Sequence, residues 1–182
     1  MSPRWALLIS GRGSTAQSVM DIMDSVDVRL VVSSRANAPG LFRARRAGVP
    51  TMLLPKEIQW DELSRSLQKR GIERLFLLGF MRLIPESFLN NWTGRIWNVH
   101  PSLLPKHPGA KALEAAIAAG DDLGVTIHDV IPEMDAGQMR RQQWVSTAQD
   151  HSEIGFSAVE QHLVREFARS QSLQFLADKE VS

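Results

Sequence analysis

Two side chains that could do chemistry stand two apart in Asn98-Val99-His100-Pro101-Ser102-Leu103-Leu104-Pro105. Arg95-Ile96-Trp97 before them has strand character, and alternate residues of a strand face one side, so an amide donor and an imidazole meet at one spot. The two prolines forbid a helix and remove backbone donors, which predicts a rigid turn leaving that spot open at a strand end. A histidine there is by itself more often a packed or solvated residue than a catalyst, so its neighbours in the fold must decide. A second candidate is Gly11-Arg12-Gly13-Ser14-Thr15-Ala16, which follows the apolar run Trp5 to Ile9 and precedes helical spacing at Val19, Met20, Ile22, Met23 and Val26. Strand, glycine turn and helix amino terminus leave backbone N–H groups aimed outward, a place for phosphate; the plainer reading is a simple glycine turn. Ser14 with Gln17 makes a capping-box signature.

The elements that must hold these residues alternate. Val28 to Val32 and Thr51 to Leu54 read as strands, and Gly40 to Ala47 as a helix stopped by Gly48. Trp60, Leu63 and Leu67 mark a helix ending at Gly71, and Leu75 to Leu78 a central strand covered on both faces. Gly79 to Ile84 is a loop before a helix from about Pro85 to Asn90. Lys111 to Ala119 is helical, Gly124 to Ile131 and Arg140 to Val145 form a hairpin, and Asp150 with Glu153 resembles another helix start. Phe156, Val159, Leu163 and Phe167 give that last helix its apolar stripe. The prediction is an α/β fold: a single-domain, Rossmann-like parallel sheet with helices on both faces, closed by an antiparallel C-terminal hairpin and a long helix. Ligands of such sheets gather at the carboxyl ends of the strands, where the Gly11 to Ser14 loop, the Met81 to Ile84 loop and His100 all fall.

The totals set bounds. At 182 residues, 43% apolar and 23% charged, the chain suits one domain over 1–182, with an N-terminal nucleotide-binding half (about 1–100) and a C-terminal catalytic half (about 101–175). A formal charge of +1 supplies no field that recruits nucleic acid or an anionic membrane. The absence of cysteine excludes disulfides and thiolate chemistry and fits a cytoplasmic protein. The apolar start is too short for a signal peptide or a membrane span. Monomer and homodimer stay equally open.

Taken together, Gly11-Arg12-Gly13-Ser14, Gly79-Phe80-Met81-Arg82, Asn98 to Lys106 with Pro108-Gly109, and Met134-Asp135-Ala136-Gly137 resemble the folate-dependent formyltransferases. The likeness runs in order from about Ala6 to His162 and is most specific at Asn98 to Lys106. It implies transfer of formyl from the co-substrate 10-formyltetrahydrofolate to the amine of glycinamide ribonucleotide in purine biosynthesis, without a metal. It also implies a catalytic set of Asn98, His100 and Asp135, phosphate contacts at Gly13, Ser14 and Thr15, and folate walls at Met81, Arg82, Leu83, Ile84, Ile131, Pro132, Glu133 and Met134. An amine adding to a formyl carbon pushes charge onto oxygen, which Asn98 and His100 can meet with hydrogen bonds while Asp135 favours the imidazolium.

This chain departs from the family pattern at several positions. Thr15 stands where Asn is common, Ala136 and Gln138 where Gly and Pro are common, and Gln161 where a Glu is expected to face the acceptor's ribose and amine. Another acceptor, such as an amino sugar nucleotide, is the first alternative. A non-catalytic dinucleotide-binding module is the second, since Gly11, Gly13 and Ala16 fit a loose G-x-G-x-x-A pattern and Ser33-Ser34-Arg35 suit a 2′-phosphate. Arg43, Arg45 and Arg46, and Arg140 with Arg141, read as solvated faces, and His107 and His128 as structural.

Overall fold

The computed structural model describes residues 2–180. Five apolar runs become parallel strands: β1 (Arg4–Ile9), β2 (Asp27–Ser33), β3 (Thr51–Leu53), β4 (Ile72–Leu77) and β5 (Arg95–His100). Parallel pairing needs crossovers, supplied by α1 (Ser14–Met20), α2 (Pro39–Arg46), α3 (Trp60–Lys69) and α4 (Glu86–Asn91). After α5 (Ala112–Ala119), β6 (Leu123–Asp129) pairs antiparallel with β5, and β7 (Met139–Ser146) antiparallel with β6. The helix α6 (Glu153–Glu180) follows. Among the described residues the sheet has seven strands in the order β3-β2-β1-β4-β5-β6-β7. Chain order reverses between β1 and β4, so the loops leaving them diverge and open a crevice at the carboxyl edge.

Strand β1 has no polar face because both of its faces are covered. Trp5, Leu7 and Ile9 join the layer filled by α1 and α6, while Ala6 and Leu8 join the layer under α3 and α4. Helix α6 contributes Phe156, Val164, Phe167 and Ala168, with Phe167 edge-on to Trp97 at 5.1 Å between ring centroids. Full burial of one such large side chain stabilises by about 1.5–3 kcal/mol. Val164, not Val159, carries the stripe; Val159 is half-buried and outside the core.

Both predicted capping boxes are replaced by other devices. Gly13, not Ser14, caps α1, in the left-handed region at φ 70°. A Cβ on Gly13 would lie 2.5 Å from Gly40 Cα, so backbone packing against α2 selects glycine there. Gln17 turns its amide to Asp21 instead of reaching back to the cap. At α6, Ser152 Oγ accepts the Gly155 N–H at 3.2 Å, and Asp150 is occupied by the Thr147 hydroxyl. No helix among the described residues is long and apolar enough to cross a membrane.

Candidate active site

The pairing of β5 with β6 sets Asn98 opposite His128 and His100 opposite Thr126. Because the side-chain period is two, Trp97, Val99, Val125 and Ile127 point into the layer under α6, and these four polar residues share the other face. Loops rather than a helix cover that face. The loop after β5 is tied down by Thr126, which accepts the Leu104 N–H (3.2 Å) and donates to the Ser102 carbonyl (2.7 Å). Ser102 in turn donates to the Lys106 carbonyl (2.7 Å).

Asp135 arrives from the β6–β7 connection. Its φ of 53° puts it in the left-handed region, at a cost of about 1 kcal/mol for a residue with a Cβ, though Asp tolerates it better than most. The Gly109 N–H, donated to Asp135 Oδ2 at 2.7 Å, fixes the side chain. Gly137 just beyond packs on the Asp129 carbonyl with no room for a side chain.

Asp135 stands between two imidazoles: Oδ2 is 3.4 Å from His100 Nδ1, and Oδ1 is 3.5 Å from His128 Nε2. The His128 ring above all, then the Gly109 N–H and the charge of His100, hold this carboxyl below its ordinary range, against the opposing effect of burial. Carbonyl oxygens only accept, which orders the rings. His100 Nε2 donates to the His107 carbonyl (2.8 Å), so a proton on Nδ1 turns its contact with Asp135 from repulsion to attraction. His128 Nδ1 donates to the Asp129 carbonyl (2.9 Å), so Nε2 accepts from the Asn98 amide nitrogen at 3.1 Å when bare and donates toward Asp135 when the ring is protonated. One amide hydrogen of Asn98 is anchored; its second is available to a ligand.

These groups open onto a cavity of about 540 Å³, of the size that holds small-molecule ligands. Its walls include Met81 to Ile84 and Ile131 to Asp135, together with Asn98, His100 and His128. Met81, Leu83 and Met134 are exposed, and Ile84 alone of the first loop is core. The Met81 N–H donates to Ser10 Oγ (2.9 Å), which shares a hydrogen bond with Ser34 Oγ. The loop is thereby pinned to the end of β1. Among the described residues, no group of three or more His, Cys, Asp or Glu is arranged to hold a metal ion.

The Gly13 to Thr15 loop lies at the end of β1, where it meets a residue of α6 that sequence patterns do not single out. Gln161 donates its amide to Ser157 on its own helix. The carboxylate that meets the loop is Glu160, which accepts the Thr15 hydroxyl at 2.9 Å. A helix turns about 100° per residue, so the adjacent Glu160 and Gln161 side chains leave α6 in different directions. Desolvation pushes the Glu160 carboxyl up, with the Thr15 bond opposing. Two other residues also differ from expectation. Arg140 is no free surface cation but a forked partner of Asp129, and His128 lies inside the site instead of serving only the sheet. His107 is structural as expected, its ring on Asp121 at 2.8 Å, while its carbonyl orients His100. His128 could have been found from the hairpin register, had the antiparallel pairing of β5 and β6 been recognised.

The family model described as "Formyl transferase" matches residues 3–162. The chain is 36% identical over 163 residues to the phosphoribosylglycinamide formyltransferase of Escherichia coli, covering 84% of this chain and 77% of that protein. It is 40% identical over 147 residues to the trifunctional purine biosynthetic protein adenosine-3 of Drosophila pseudoobscura, covering 74% of this chain and 11% of that one. The chain thus spans only a small part of the trifunctional relatives, 15% of the human protein. Among solved structures, glycinamide ribonucleotide transformylase 1 from Geobacillus kaustophilus superposes with a TM-score of 0.87 at 32% identity, covering 94% of this chain and all of that one.

Proposed function

The chain belongs to the formyl transferase family, and we propose that it transfers formyl from 10-formyltetrahydrofolate to the amine of glycinamide ribonucleotide in purine biosynthesis. The observation that carries the reading is the anchored Asn98 amide beside His100 on the wall of a cavity of ligand size. The folate supplies the formyl carbon, and everything else falls to the chain's own side chains. Asn98 donates its second amide hydrogen to the formyl oxygen as charge grows there, and His100 donates from its Nδ1 edge. The Asp135 carboxylate stabilises the imidazolium and can organise a water that takes the proton from the attacking amine and passes it to the folate nitrogen, which departs as its bond to the formyl carbon breaks. His128 acts one step back by fixing the orientation of Asn98.

Met81, Arg82, Leu83 and Ile84, facing Ile131, Pro132, Glu133 and Met134, are proposed to enclose the folate ring, whose edges suit a mixed apolar pocket with exposed backbone groups. Gly13, Ser14 and Thr15 mark the acceptor's phosphate end, and Glu160 rather than Gln161 is proposed to face its ribose and amine. In this reading residues 1–182 are one formyltransferase domain, acting in the cytoplasm.

The test is the absorbance change on mixing the protein with a 10-formyl folate analogue and glycinamide ribonucleotide, against a control without acceptor. Turnover that requires the ribonucleotide supports the reading. Folate binding without turnover moves the acceptor to another amine, and no folate binding rejects the reading.

A further inference from the structure

We propose that Thr15 is a positioning residue that holds Glu160 toward the acceptor amine and ribose, and that its hydroxyl does not bind the acceptor phosphate. The inference rests on the acceptor reading above. A threonine hydroxyl has one hydrogen to give, and a phosphate oxygen only accepts, so the hydrogen donated to Glu160 at 2.9 Å is not available to a phosphate. The loop has other donors. Helix α1 has no side-chain cap, which leaves its first backbone N–H groups free of internal competition. Among the described residues the half-buried Ser14 hydroxyl has no protein partner either.

Glu160, by contrast, depends on Thr15, its one hydrogen-bond partner among the described residues. Desolvation raises this carboxyl, so the protein keeps a group that is costly to bury. The pair is also built into a rigid contact. The Ser18 hydroxyl donates to the Thr15 carbonyl at 2.7 Å and lies 3.5 Å from the Gln161 carbonyl, which fixes α1 against α6 at this point.

The experiment is a double-mutant cycle on steady-state kinetics with Thr15→Val, Glu160→Ala and the pair, and with Thr15→Ser as the rescue. Thr15→Val is expected to raise KM for the ribonucleotide about tenfold, the scale of one charge-assisted hydrogen bond, with kcat and the folate KM nearly unchanged. Thr15→Ser restores it, and in the Glu160→Ala background Thr15→Val costs less than about twofold. The same tenfold loss in both backgrounds assigns the hydroxyl to the phosphate and overturns the proposal. Failure of Thr15→Ser to restore KM, or equal loss of kcat and both KM values, marks a packing role and overturns it too. Thr15→Ala serves if the valine variant does not fold. Wild type without ribonucleotide-dependent turnover rejects the acceptor reading itself and this inference with it.

Discussion

Asp135 Oδ2 reaches to 3.4 Å from His100 Nδ1, although His100 ends strand β5 and Asp135 lies in the connection between β6 and β7. The carboxylate is not free to wander, since the Gly109 N–H holds the same oxygen at 2.7 Å. Nor is the ring, whose Nε2 is committed to the His107 carbonyl. Two backbone groups therefore fix both partners, leaving the Nδ1 edge of His100 toward the carboxylate, where a proton on Nδ1 makes the contact attractive.

His100→Ala removes a donor that matters most once charge has developed on the formyl oxygen. The expected outcome is a kcat lower by about 10²- to 10⁴-fold, with substrate dissociation constants within a few-fold of wild type. Single-turnover kinetics beside equilibrium folate titration separates the two. Equal loss in binding and turnover would place His100 in ground-state recognition instead.

Acid stability should report on Asp135. Its folded pKa lies below the ordinary value of 3.8, so the stability it contributes is present above that value and lost as pH falls through the lower folded value. Asp135→Asn should be less stable than wild type by a constant margin near neutrality, and the margin should close below about pH 4. Urea midpoints across that range provide the check; a margin independent of pH assigns the loss to packing.

Glu160 carries the opposite sign. Its folded pKa is raised above the ordinary 4.5, so its favourable state is complete below that value and is lost as pH rises through the raised one. Glu160→Gln removes that loss while keeping an acceptor for Thr15. Its melting temperature relative to wild type should rise on going from acid to neutral pH, while its KM for the ribonucleotide increases. A melting difference that does not change with pH would show that desolvation of this carboxyl carries no stability cost.

Ser10 offers a test of the donor side. Ser10→Ala leaves the Met81 N–H without its partner and frees the loop from β1, at a cost of about 1 kcal/mol. The folate KM should rise several-fold with the ribonucleotide KM unchanged. A shift in the ribonucleotide KM alone would locate the serine's influence in the Gly11 to Thr15 loop.

The geometry of Asn98 and His100 was legible because a strand's period of two is unambiguous beside a run such as Ile96-Trp97. The glycine turn after β1 was legible for a similar reason, since strand and helix patterns flank it. His128 was hidden because β6 is buried along most of its length, so its sequence does not announce which face is which. Only its pairing with Asn98 decides. The contact of Glu160 with Thr15 was not legible, because hydrophobic spacing on α6 locates the buried stripe but not which flanking residue meets α1. The Ser14 cap failed because contact between Gly13 and Gly40, a tertiary matter, selected the left-handed turn.

The pairing of Asn98 with His128 makes the centre sensitive to parity. One residue inserted within β6 ahead of His128 would turn that ring into the apolar layer beneath α6, and no adjustment of the surrounding loops could return it. Length changes between β7 and α6 leave the pairing untouched. A peptide tag or reporter domain grafted at 147–151 would therefore spare the register, whereas the same graft inside the hairpin would erase it.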